Sequence, residues 1–544
     1  MVGEGAQPPG WTWRDRAAGS IPPGRILEPT AEDAPGITPF PTVYVPDRLL
    51  VTGDTAAARG ANLRALADAA GELGWVLTAE SLRGEVLPEL GTQPAPLLPG
   101  VPGVTRVILA ADADRRDPLA APDAWRLLQR ARRLSRSPLT GVGLDHLIAI
   151  DPVGVNPFTR ANPFTSSNPF TSSNPFTSSN PFTSSNPYGA AEYARAGCGG
   201  RQPVARIGAA PARAAVPPGH RRPVVAVLDT GCGAHDWLPD DVVTRHLEID
   251  GRPIGLTDDA DPERFGDLYG QLDGALDPVA GHGTFIAGIV RQVAPDADIV
   301  SVRVADALGL VSESALLATL ADVVELLRRH QEGARDGLAV DVLNLSLGYY
   351  HETPEDGHYS TTLFDILRVA RELGCVVVCS AGNDAIDRPA FPAALWPWPG
   401  SDNGIKPDEF ADHVSVGALN PGGDSVALFS NVGPWVRVYA PGAAVVSTSP
   451  DFEGGRQATT RSDEYRLRRE TIAPESFRGG FAVWSGTSFA APYVAAMIAA
   501  ELAAQPVKRE RNAAARVARS RRATHAALAA RGIDGGSTTP QESR

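Results

Sequence analysis

Five apolar, largely β-branched runs constrain this chain more than any other feature: VVAVLD (224–229), IVSVRV (299–304), VDVLNLS (340–346), VVVC (376–379) and VSVGA (414–418). Runs without polar alternation suit strands covered on both faces, as inside a parallel sheet. Amphipathic helix patterns lie between them, such as Leu316, Leu320, Val323 and Leu327, then Leu363, Ile366, Leu367 and Ala370. Strand and helix alternating in this way predict a doubly wound α/β domain over residues 222–504. The whole chain has 544 residues, more than one ordinary domain needs.

Residues 1–41 are rich in Pro and Gly and are expected to form a disordered arm. A smaller unit follows over 42–151. VYVPDRLLV (43–51), WVLT (75–78), VTRVILA (104–110) and LDHLIAI (144–150) read as strands. Leu63, Leu66, Ala70 and Leu73 mark one helix, and Pro122 opens another with Trp125, Leu128 and Leu134. The order βαββαβ predicts an α+β, ferredoxin-like domain. Residues 152–221 read as a linker, in which NPFTSS recurs from Asn162 to Ser185. A proline in every repeat excludes a sheet interior. The tract therefore reads as a spacer, with a multivalent docking segment for a partner that recognises NPF as the alternative. Residues 505–544 are basic and Ala-rich, and are expected to be a solvated, partly helical tail.

The net charge of −13 argues against general binding of nucleic acid. The first twenty residues hold no apolar signal core, and no uninterrupted apolar run spans a bilayer, so a cytoplasmic protein without a membrane partner is expected. Four cysteines (Cys198, Cys232, Cys375, Cys379) are too few for a disulfide framework in a chain of this length.

Open parallel sheets place their sites beyond the carboxyl ends of the strands. Four polar signatures lie there. Asp229 ends a strand in a Gly-containing turn, DTGCG; alone it reads as a turn residue, or as half of an aspartic-peptidase pair whose second D-T-G is missing from this chain. His282 stands between Gly281 and Gly283 at a helix start, with small Ala287 and Gly288 set to press on a neighbour. Asn383 follows a buried strand, as a turn residue or as an amide donor. Ser488 heads an Ala-rich helix, either as an N-cap or as a nucleophile where helix N–H groups favour developing negative charge.

D-T-G, G-H-G-T-F-I-A-G, S-A-G-N and S-G-T-S-F-A-A-P, in this order on an α/β domain, closely resemble the subtilisin (S8) peptidase family. The Asp…His…Ser order is the one for which subtilisin itself is the standard example. The resemblance implies a serine endopeptidase acting on polypeptides. Asp229, His282 and Ser488 would form its catalytic triad, with Asn383 in the oxyanion hole. Ser346, Leu347 and Gly348 would pair with the substrate backbone, and Ser380, Ala381 and Gly382 would wall its specificity pocket. It implies no required cofactor; structural calcium is common in the family, but no ligand set can be mapped here. The acidic run Asp258, Asp259, Asp261 and Glu263 is expected to be a solvated loop. Phe285 replaces a histidine that many relatives carry, which predicts altered packing. The ferredoxin-like unit has the strand–helix order of subtilisin propeptides; an independent targeting or sensing domain is the alternative. The competing function is a scaffold built on a degenerate protease fold, which presents the NPF repeats to partners.

Overall fold

The computed structural model describes residues 7–19, 24–27, 39–53, 55–114, 120–150, 190, 192–270, 272–353, 361–401, 404–453, 458–505 and 512–529. The NPFTSS tract lies outside the described residues.

The smaller unit comprises β1 (Val43–Val51), α1 (Ala56–Leu73), β2 (Trp75–Ser81), β3 (Thr105–Ala111), α2 (Ala124–Ser135) and β4 (Val142–Ala149). Its strands pair antiparallel in the order β4-β1-β3-β2, the ferredoxin-like arrangement expected from βαββαβ. Thr55 starts α1 by accepting a hydrogen bond from the Ala58 N–H, and Gly74 ends it at φ 73°, a left-handed turn suited to glycine. Asp123 caps α2 through the Arg126 N–H, one residue after the expected Pro122. Both helices bury Leu63, Leu66, Trp125 and Leu128 against Leu49, Val51 and Val107.

The larger unit is built on β5 (Val224–Asp229), β6 (Val243–Thr244), α3 (His282–Val293), β7 (Asp298–Arg303), β8 (Leu310–Ser312), α4 (Glu313–Glu332), β9 (Val342–Leu345), α5 (Thr361–Glu372), β10 (Val376–Ser380), β11 (His413–Leu419), β12 (Val438–Pro441), β13 (Val445–Thr448), β14 (Phe481–Trp484), α6 (Thr487–Ala504) and α7 (Ala513–Ala529). Its main sheet is parallel, in the order β12-β11-β10-β9-β5-β7-β6. Alternate strand residues feed opposite layers. Val225, Val227, Val376 and Val378 pack with α3 and α6, while Ala226, Leu228, Leu343 and Val377 pack with α4 and α5. This is the doubly wound α/β architecture expected. Cys375 and Cys379 are free, buried thiols in the core.

Helix α6 is long and apolar enough to cross a membrane by length and composition, although Thr487, Ser488, Pro492 and Glu501 keep it from being an uninterrupted apolar run. Its apolarity is used inside the protein, where Phe489, Val494 and Ile498 are fully covered. Helix α3 presses on β13 through Gly288, as its small residues suggested. A Cβ there would stand 2.1 Å from Thr448 Oγ1 and 2.4 Å from Ser447 Oγ. Gly288→Ala is therefore expected to destabilise the fold by about 1–3 kcal/mol, read as a lower urea midpoint. An unchanged midpoint would mean that the helix can retreat without cost.

Three expected boundaries shift. The arm is partly built in: Arg25–Ile26 pairs with β1, Leu27 is buried in the ferredoxin-like core, and Arg16 is ion-paired with Asp267 on the larger unit. The second half of the expected linker also joins the larger unit. Gln202–Pro203 pairs with β14, and Arg201 lies over the Trp484 ring at 5.0 Å while donating to the carbonyls of Leu276, Asp277 and Ala280. The basic tail is not solvated over α7. Ala523, Ala527 and Leu528 recur on one helix face and pack in the α6 layer. Ser520 Oγ donates to the Gly374 carbonyl at 2.6 Å, and Arg519 pairs with buried Asp341 at 2.9 Å. The arginines that made this segment look solvated make specific bonds from the helix edge.

The two units share a sheet. β8, from the larger unit, pairs antiparallel with β4, placing Leu310 opposite Ala149 and Ser312 opposite Leu147. Asp145 caps α4 by accepting from the Ser314 N–H at 2.9 Å and its hydroxyl at 2.7 Å. Ala149 and Gly348 exchange two backbone hydrogen bonds of 3.0 Å, and the Ile150 N–H donates to the Gly309 carbonyl at 2.7 Å.

Candidate active site

Asp229 is the last residue of β5, and His282 opens α3 after Gly281, whose φ of 80° lets the chain turn into the helix. These two elements bring residues 53 apart into contact: His282 Nδ1 lies 2.7 Å from Asp229 Oδ1, with both side chains fully buried. The carboxylate needs Nδ1 to carry the proton, which leaves Nε2 as the basic nitrogen. Asp229 Oδ1 is itself fixed by the Thr230 N–H at 2.8 Å. A Cβ on Gly283 would stand 2.0 Å from the Gly231 carbonyl oxygen, so this close approach of the two turns requires glycine.

Ser488 lies in the first turn of α6, behind Thr487, and the N-cap is Gly486. The capping role weighed for Ser488 is therefore not the one it takes. Its hydroxyl donates a long 3.5 Å bond to the Ser346 carbonyl. His282 Nε2 is buried and has no hydrogen-bond partner among the described residues. Among the described residues no hydrogen bond joins Ser488 Oγ to His282 Nε2; catalytic hydrogen bonds of this kind commonly form or tighten only when substrate is bound. The imidazole lies among aromatic rings, 5.2 Å from Phe489 and 5.5 Å from Trp484 between centroids. Phe285 joins the same cluster, 4.5 Å from Phe489, which accounts for an apolar ring at this position.

Asn383 Oδ1 accepts from both the N–H and the hydroxyl of Thr487, at 2.8 and 2.9 Å. That fixes the amide's orientation and turns its Nδ2 end toward Gly486, 3.7 Å from where a Cβ there would stand. Ser380-Ala381-Gly382 runs off β10, with Gly382 at φ 100° and its N–H donating to Thr487 Oγ1 at 3.1 Å. Asn431 Nδ2 braces this segment through the Ala381 carbonyl at 2.9 Å. Ser346-Leu347-Gly348 leaves β9 toward the same end of the sheet, and Gly348 already holds an extended partner in Ala149.

Glu263 was placed in a solvated acidic loop and instead lies beneath the site, 2% exposed. It accepts from the Thr230 hydroxyl, from the Gly283 N–H at 2.8 Å and from the Thr284 N–H at 3.1 Å, tying the Asp229 turn to the start of the His282 helix. Its neighbours face elsewhere: Asp258 pairs with Arg303 at 2.6 Å, and Asp261 caps the Glu263 N–H at 2.9 Å. The sequence signal was the carboxylate's place twenty residues before Gly283, in a Gly-His-Gly helix start that needs an acceptor, which a charge run conceals. Burial pushes the Glu263 carboxyl up to about 7, and hydrogen bonds from Thr230 and Thr284 pull the other way. The folded value lies above the ordinary 4.5, so its contribution to stability is full below about pH 4.5 and is lost as pH rises through 7. Asp277, also raised to about 7 by burial, acts with the same sign. Glu263→Gln is thus expected to flatten, but not abolish, the fall in urea midpoint between about pH 5 and 8; a slope equal to wild type would contradict this. Burial likewise pushes the Cys232 thiol up to about 12, so it is an unreactive group near the site.

The profile described as "Subtilase family" matches residues 220–533, more than half of the chain. The chain belongs to the subtilase family. This subtilase is 31% identical over 291 residues to the "Thermophilic serine proteinase" of Bacillus sp. (strain AK1), covering 52% of each chain. It is 28% identical to the "Intracellular serine protease" of Paenibacillus polymyxa, over 51% of this chain and 65% of that one. The subtilase thus spans about half the length of the curated relatives it matches. A solved "cold adapted subtilisin-like serine proteinase" overlaps 51% of this chain and 74% of its own at 24% identity and a TM-score of 0.33.

Proposed function

We propose that this chain is a serine endopeptidase that hydrolyses peptide bonds in polypeptides. The observation that carries the reading is the buried His282–Asp229 pair, whose Nε2 has no hydrogen-bond partner among the described residues and whose ring lies 5.2 Å from that of Phe489, the residue after Ser488. His282 Nε2 takes the Ser488 proton as Oγ attacks the scissile carbonyl, and the imidazolium gains from Asp229. The tetrahedral oxyanion is met by Asn383 Nδ2 and the Ser488 N–H at the start of α6. His282 then returns the proton to the leaving amine, and water hydrolyses the acyl-enzyme by the same route. Every group required is a side chain or a backbone amide, so this reading requires no cofactor. Ser346-Leu347-Gly348 pairs with the backbone of an extended polypeptide, and Ser380-Ala381-Gly382 borders the pocket beside the scissile bond.

The ferredoxin-like unit acts as a propeptide-like block in this reading. Its support is the Ala149–Gly348 pair: the unit's last described residues occupy the very strand to which a substrate would be added. The pairing is antiparallel, so the chain direction leads from Gly348 back toward Ser346, whose carbonyl lies 3.5 Å from Ser488 Oγ. The NPFTSS tract is read as a spacer between the two units, with docking of a partner that recognises NPF as the alternative.

The test is labelling with a fluorophosphonate. A covalent adduct should appear in the full chain, or after self-cleavage between 150 and 222, and tandem mass spectrometry should place it on Ser488. An adduct elsewhere, or none in either form, would overturn the assignment. It would then favour a scaffold that keeps only the fold.

A further inference from the structure

The interface between the two units buries a second constellation, away from the triad. His146, on β4 of the ferredoxin-like unit, is 1% exposed and held on both sides: Nδ1 lies 2.7 Å from Glu313 Oε2 and Nε2 lies 2.7 Å from Glu352 Oε2. Glu313 opens α4, and Glu352 follows the Gly348 strand by four residues. His351 completes the group. Its ring centroid is 4.8 Å from that of His146, and its Nδ1 is 3.6 Å from Glu352 Oε2. One donor atom from each of His146, His351 and Glu352 falls within 4.8 Å of the others, and all three residues are buried.

These groups have the chemistry of a metal centre. Two imidazoles and a carboxylate are a common catalytic or structural ligand set for zinc, with a fourth position left for water or the second carboxylate oxygen. His351 Nδ1 accepts from the Thr353 N–H at a long 3.2 Å, a weak bond that its lone pair would give up to reach an ion. Glu313 would then be the outer carboxylate that takes the remaining N–H of a metal-bound histidine and fixes its tautomer. Its other oxygen, Oε1, is buried without a hydrogen-bond partner among the described residues. Two ligands about 2.0–2.1 Å from a tetrahedral ion stand roughly 3.3 Å apart. The 2.7 Å contact between His146 and Glu352 need open by only about 0.6 Å, a small swing of one carboxylate.

We propose that His146, His351 and Glu352 bind a divalent transition-metal cation, zinc by preference, with Glu313 as the outer-sphere partner of His146. The site joins the two units: one ligand comes from the ferredoxin-like unit and two from the larger one. The ion takes the place of the proton shared by His146 Nε2 and Glu352, and that proton leaves to solvent. It acts as a clasp beside the candidate cleft, independent of the Ser488 chemistry.

The experiment uses the untagged full chain carrying Ser488→Ala, which keeps the two units joined, stripped with a chelator and dialysed against zinc. One zinc per chain is expected, and cobalt in its place should give the visible absorption of a four-coordinate ion. His351→Ala and His146→Ala should each weaken zinc binding by more than about 100-fold, and Glu313→Gln by about 10- to 100-fold with stoichiometry kept. Circular dichroism of the stripped variants separates loss of the site from loss of the fold, and His351→Ala serves if His146→Ala fails to fold. No stoichiometric zinc in the parent chain overturns the site, as does undiminished binding in a folded His351→Ala variant.

Discussion

Ser488→Ala is expected to lower the turnover of an unstructured polypeptide by about a millionfold, the scale of loss known for subtilisin's own serine. The physical reason is that, in the proposed mechanism, the Ser488 hydroxyl is the group that forms the covalent bond with the substrate. Without it, the imidazole can at best activate a water, and what rate remains comes from binding and the oxyanion donors. Asn383→Ala should be milder, about a hundred- to a thousandfold in kcat with KM little changed, again the range for subtilisin's own asparagine. Its amide meets charge that exists only in the transition state, so ground-state binding does not depend on it. The contrast between the two variants separates nucleophile from electrostatic donor. Equal, small effects from both would show that catalysis, if present, resides elsewhere.

Ala149→Pro is expected to raise the hydrolysis of a short peptide by the full-length chain at least about tenfold. The substitution removes the N–H that donates to the Gly348 carbonyl and sets a ring against the pairing strand. Losing one backbone bond with its steric fit weakens docking by about 1.4 kcal/mol or more, which is tenfold in the open population. Free substrate then adds to Gly348 in place of Ala149. The measurement is initial rate at low substrate, before any self-cleavage. A rate equal to or below that of the unmodified chain would show that this segment does not obstruct the cleft.

Strands long enough to be buried on both faces were legible in the sequence because burial itself writes their composition. The same holds for the βαββαβ order, whose helices carry clear caps at Thr55 and Asp123. Two-residue β6 and four-residue β12 escaped notice, since elements this short are set by their neighbours. Strand β8 is the sharper case: Leu310–Ser312 lies within the peptidase sequence yet pairs with the other unit's sheet, a choice that only tertiary context makes. The candidate site was legible as four motifs, but not what supports it. Glu263 read as a solvated acid because its three acidic neighbours, Asp258, Asp259 and Asp261, outweighed the single helix start it serves. In α7, arginines disguised an alanine stripe, since long charged side chains can lie along apolar surface while their heads reach carbonyls and Asp341.

Both ends of the repeat-bearing segment are fastened to the same body, at Ile150 on one side and at Arg201 over Trp484 on the other. Because one polypeptide joins the two units, separation of the Ala149–Gly348 pair is an intramolecular event, and its return does not depend on protein concentration. A single cut between residues 150 and 201 would make that return bimolecular, so the same pair would then be lost on dilution.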